Sequence, residues 1–163
     1  MTSPISREQL AQIRELAWVL PSEKIGSAQD TIKGGNLTGR QWVMVYEQAA
    51  NAVNYATDAL EEYFQYRPGE MDSNSETVMI MTGRLLAELH RDVDEIGGVS
   101  FLRRVGKMIN TRNKSLHHAS VLAEVGTKEV ATAALTDAVK YVLFVRSGLV
   151  TLLGLDQQGR QKS

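Results

Sequence analysis

The chain of 163 residues has no cysteine, which excludes disulfide frameworks, thiolate zinc sites, iron–sulfur clusters and cysteine nucleophiles together. It also lacks a long uninterrupted apolar run. The most apolar stretch, Ala138 to Leu155, is cut by Lys140 and Arg146, charges that are costly inside a bilayer, so it reads as a buried helix and not as a membrane span. Met1 to Arg7 has no basic segment, apolar run or small-residue cleavage site of the signal-peptide kind, so a cytoplasmic location is expected. There is no Gly-x-Gly-x-x-Gly fingerprint, no phosphate-loop lysine after Gly34-Gly35 and no Gly-x-Ser-x-Gly elbow, which leaves those modes of nucleotide binding and serine hydrolysis without support. Nor is there an excess of charge. With 18 basic and 19 acidic residues the formal net charge is -1, too small to attract a polyanion to the molecule as a whole.

What the chain does have is helical periodicity. Ser6 and Gln9 form a capping pattern ahead of Leu10, Ile13, Ala17 and Leu20, and Pro21 is expected to end that first helix. Residues 22 to 37, with Gly26, Gly34 and Gly35, read as a connector holding at most a short helical turn. Thr38 and Gln41 repeat the capping pattern before Trp42, Tyr46, Ala49, Val53, Ala56, Leu60 and Tyr63, a long amphipathic helix. A third helix is expected to open at Ser73 with Glu76, to carry Val78, Met81, Leu85, Leu89, Val93 and Ile96, and to close at Gly97-Gly98. Ser100 is the expected cap of a fourth, through Phe101, Leu102, Val105, Met108 and Ile109, bent or broken before Leu122. Thr127 caps the last, from Val130 to Leu152. The fold class is therefore all-α, a helical bundle of about five helices in one domain over residues 1 to 156, with a loose polar tail over 157 to 163.

The charges are unevenly placed. No Asp or Glu occurs between Glu95 and Glu124, whereas Arg103, Arg104, Lys107, Arg112 and Lys114 all do, and His117 and His118 share the segment. Cations beside titratable imidazole are what a phosphate backbone attracts. The plainer alternative is a solvated helix face whose cations pair with Asp92, Asp94 and Glu95. Within the segment, Arg112 is followed by Asn113 and, five residues on, by His117, an offset that on a helix leaves both side chains able to face one cleft.

Arg112, Asn113 and His117 resemble the motif of the HEPN family: an arginine, four to six residues, and a histidine, often with asparagine after the arginine. Arg84 and His90 meet the same spacing without the asparagine. The likeness extends over about residues 38 to 154 in helix order, with Thr38 to Tyr66 similar to the family's opening helix and a helix following the motif. It implies an HEPN-like bundle, a homodimer whose active cleft forms where two copies of the motif meet, and a metal-independent endoribonuclease needing no cofactor. A toxin or defence setting, with an antitoxin or other protein partner and no membrane, is also implied. In that role Arg112, always charged and planar, holds phosphate oxygens, His117 exchanges a proton with an ordinary pKa of about 6.5, and Asn113 positions the site. Arg103, Arg104, Lys107, Lys114 and His118 are the expected RNA contacts, since phosphate contacts position the backbone without reading bases.

The competing class is a non-catalytic helical binding or adaptor protein that dimerises through an apolar helix face. A metal site on His90, His117 and His118 lacks the i, i+4 pairing that sets two ligands on one helix face. A globin-like reading has no convincing distal residues. Met79, Met81 and Met108 fit packing positions, and Trp18 and Trp42 read as packing residues whose indole nitrogens find a partner at a boundary.

Overall fold

A computed structural model describes residues 5–66, 74–114 and 118–162. Among them the chain is an all-α bundle whose only β pairing is an isolated bridge between Leu155 and Gln161. No described helix is long and apolar enough to cross a membrane.

The Ser6–Gln9 capping box starts α1 (Arg7–Arg14) as expected, with each partner's side chain bonded to the other's backbone N–H. Pro21 does not end this helix. A π-helical turn, Glu15–Val19, carries the chain directly into α2 (Leu20–Lys33), so most of the expected connector is helical. Proline supplies no N–H to the carbonyl four residues back and crowds it. Here the Leu20 N–H reaches five residues back to Glu15, which places Pro21 in the first turn of α2. The Ala17 carbonyl instead accepts a 2.7 Å bond from Nε of Arg146, and Trp18 accepts one of 3.0 Å from Nη2.

A second capping box, Thr38 with Gln41, opens α3 (Gly39–Phe64), the central helix. Its alanines at 49, 50, 52, 56 and 59 are fully buried and let α2 and α7 pack closely on either side. The cap of α4 (Ser75–Glu88) is Asn74, and the helix stops well short of the expected Gly97. His90 takes a left-handed conformation (φ 53°) and the Arg91 N–H bonds back to the Leu86 carbonyl, closing a helix terminus. Asp92 and Glu95 then box a separate 3-10 turn, Val93–Ile96. Leu89, Val93 and Ile96 keep helical spacing across this break, which is why periodicity alone runs through it.

Gly97, at φ 113°, turns the chain straight into α5 (Gly98–Asn113), so Ser100 lies exposed in the first turn and is not the cap. The expected break falls after Asn113. His118 precedes α6 (Ala119–Val125), and Thr127 caps α7 (Lys128–Leu153) as expected. One core joins all of these, with Ile13, Leu60, Met81, Leu85, Phe101, Ile109, Tyr141 and Leu149 fully enclosed. Met81 and Met108 are packing residues, but Met79 is exposed.

The expected loose tail is, as far as residue 162, a turn folded against α1. Asp156 accepts from the Gln158 and Arg160 N–H groups, Trp18 Nε1 donates to the Gln157 carbonyl at 3.0 Å, and Gly159 is buried against the Trp18 ring.

Candidate functional site

The apolar face of α5, Phe101, Leu102, Val105, Met108 and Ile109, is buried, and the helix is pinned at its side by the start of α4. Gly106 makes this approach possible, since a Cβ there would lie 2.8 Å from that of Ser75. Asn110 bonds Ser75 twice, accepting from its N–H and donating to its hydroxyl. Thr111 is buried, and burial also pushes the phenol of Tyr46 on α3 above the usual range. The last turn of α5 is thereby fixed, and Arg112 in that turn points its guanidinium at α3.

Arg112 is half-buried. Its Nε and Nη2 donate to Oδ1 of Asn113 at 3.3 and 2.8 Å, and its Nη1 donates to Oδ1 of Asn51 at 3.3 Å. Both acceptors are neutral amides, and no carboxylate among the described residues pairs with Arg112. A guanidinium has five N–H donors, so these bonds leave one hydrogen on Nη1 and one on Nη2. A cation in the last turn of a helix also sits in the favourable field of the helix dipole.

His117 lies outside the described residues. His118 is exposed, with Nδ1 2.9 Å from the Ser120 hydroxyl. The cations expected to bind RNA do not form one face. Nine positions at about 100° per residue put Arg103 on the opposite side of α5 from Arg112. Arg104 makes a two-point contact with Asp137 of α7, at 2.9 and 3.4 Å, and Lys107 lies 3.4 Å from Glu124 of α6. Ion pairing of the segment thus exists, but its partners are not the expected Asp92, Asp94 and Glu95. Glu95 is bonded to Arg91 instead, which holds its carboxyl below the ordinary range. Arg103 and Lys114 are exposed and have no ion pair among the described residues.

Asn51 is the site residue that the linear pattern does not reveal. It stands 61 positions from Arg112, and its only mark is that Gln48, Asn51 and Asn54 place amides at three-residue intervals along an amphipathic helix. His90 is exposed, and no group of three His, Asp or Glu donors converges among the described residues. Among the concavities that lie elsewhere on the described residues, two have apolar linings. One of about 710 Å³ is formed by the start of α1 and the ends of α3 and α7, lined by Leu10, Tyr63, Phe64 and Leu152. The other, about 350 Å³, is an apolar groove between α5, α6 and α7 whose rim carries the Arg104–Asp137 and Lys107–Glu124 pairs. Comparison with protein-family models, with curated proteins and with solved structures finds no match to this chain.

Proposed function

We propose that the protein is a metal-independent endoribonuclease of HEPN type in which Arg112 holds the scissile phosphate. The observation that carries this is the state of the guanidinium: oriented by two neutral amides, opposed by no carboxylate among the described residues, and left with one N–H on each terminal nitrogen. Charged N–H donors of this kind bind phosphate oxygens strongly.

RNA carries its own nucleophile. The 2′-oxygen attacks phosphorus as its proton passes to a neutral imidazole, the bond from phosphorus to the 5′-oxygen breaks, and that oxygen leaves with a proton from an acid. Products are a 2′,3′-cyclic phosphate and a 5′-hydroxyl. His117 is the proposed base, with His118 the neighbouring imidazole, and a second copy of the motif across a homodimer supplies the complementary acid. Arg112 neutralises charge growing on the non-bridging oxygens. Lys114, exposed just past the end of α5, guides the backbone most readily, and Arg103, on the far side of that helix, contributes only to the general field. Arg104 and Lys107 are held in exposed pairs worth only about 0–1 kcal/mol, which RNA phosphates can displace. As a toxin or defence effector the protein acts in the cytoplasm, restrained by an antitoxin-type partner.

The test is incubation of the purified protein with RNA in chelator, followed by end-group determination. Cyclic phosphate ends are expected. Arg112→Ala and His117→Ala should each lower cleavage by about 100-fold or more with an unchanged circular dichroism spectrum. Cleavage by the double variant at the parent rate overturns the assignment.

A second reading, the non-catalytic helical binding module, draws on the apolar groove rimmed by paired charges between α5 and α7. RNA retention without any new ends in the same incubation favours it.

A further inference from the structure

We infer that Asn51 is a positioning residue for Arg112, and that the site depends on its being neutral as well as on its hydrogen bond. The inference rests on the ribonuclease reading above.

Asn113 adjoins Arg112 on the same helix, so its grip on the Nε and Nη2 edge moves with α5. Asn51 belongs to α3, and its bond to Nη1 ties the guanidinium plane to a different element. Contacts from two helices hold a long side chain in one orientation, where a contact from its own helix leaves it free to swing. α3 is a rigid anchor here, because Ala50 and Ala52 on either side of Asn51 are fully buried.

The chemical identity of residue 51 matters separately. Aspartate would accept the same bond with nearly the same shape, hold Arg112 more tightly, and cancel the charge that a phosphate must meet. Asparagine orients without neutralising. Its neighbours at three-residue spacing, Gln48 and Asn54, are amides too, with Oε1 and Oδ1 buried and without hydrogen-bond partners. Glu47, one turn before Asn51, makes no ion pair with Arg112. From α3, Asn51 therefore supplies an acceptor to the guanidinium and leaves its positive charge unspent.

This separates activity from stability in a measurable way. Asn51→Asp and Asn51→Ala are compared with the parent and with Arg112→Ala by cleavage of a short single-stranded RNA in chelator. RNA affinity is measured by fluorescence anisotropy in the His117→Ala background, and thermal midpoint on each protein. Cleavage and affinity should rank Asn above Ala above Asp, with Asp lower than the parent by about tenfold or more. The thermal midpoints should rank differently, Asp at or above Asn and Ala lowest. If activity instead follows the midpoints, so that Asp cleaves as well as Asn, the role of Asn51 is structural and the inference is overturned. Parent-like rates in both Asn51 variants beside an inactive Arg112→Ala overturn it while leaving the ribonuclease reading in place. Parent-like cleavage by Arg112→Ala removes that reading itself.

Discussion

A Cβ on Gly159 would lie 2.6 Å from the Trp18 ring, and the residue holds φ at +77°, a conformation that side chains rarely adopt. Gly159→Ala should therefore destabilise the protein by about 1–3 kcal/mol, read from the urea midpoint, and should alter the fluorescence of Trp18. An unchanged midpoint would mean that the terminal turn does not pack on the Trp18 ring. At the candidate site the sign of the expectation differs. Arg112→Met should cost only about 1–2 kcal/mol, because it removes bonds to amides that are not fully enclosed, while cleavage is lost. A much larger loss of stability would make Arg112 a structural residue. Arg112 and Asn113 are legible in the sequence because the motif is local. Asn51 is not, since an amide on a half-buried helix face looks the same whether it meets solvent or a guanidinium. The partner expected for the Trp18 indole at a boundary does exist, but only the folded chain identifies it as the Gln157 carbonyl.

At the scale of elements, Pro21 and Arg146 act together. Arg146 on α7 is half-buried, and burial pushes its guanidinium below the ordinary arginine value. Its bonds to the Ala17 and Trp18 carbonyls satisfy acceptors beside the residue-21 position, where no N–H is available. Arg146→Met should cost about 1–3 kcal/mol by leaving those carbonyls without their donor. Pro21→Ala restores an N–H, so the same substitution should cost less in that background, with a coupling of about 0.5 kcal/mol or more in denaturant titrations. Strictly additive effects would show that the two residues act independently. The starts of α1, α3 and α7 are legible from their capping residues, which bond only three positions along the chain. The ends are less so. Pro21 looks like a stop until a side chain from 129 positions away relieves it, and α4 looks longer than it is because apolar spacing continues past its left-handed His90.

For the molecule as a whole, buried phenols govern the alkaline limit. Tyr141 is completely enclosed, donating toward Thr57 at 2.9 Å, and burial raises its pKa above the ordinary 10.0; Tyr46 and Tyr63 are raised for the same reason. A group whose pKa is higher in the folded state contributes stability fully below its unfolded value and loses it as pH rises toward the folded one. The thermal midpoint should hold steady up to about pH 10 and then fall, and Tyr141→Phe should flatten that fall. An equally steep alkaline decline in the Phe variant would assign the transition to other groups. The all-α class, the starts of α1, α3 and α7, the acid-free basic segment and the Arg112 motif follow from the sequence by itself, because each depends on residue type and on interactions within one or two turns. Only the tertiary structure decides that Arg104 is spent on Asp137, 33 positions away, that the terminal turn docks on Trp18, and that Arg112 meets a neutral amide at position 51. Those outcomes depend on which helix faces pack together, and the packing is set by the shared apolar core and not by any local stretch of chain.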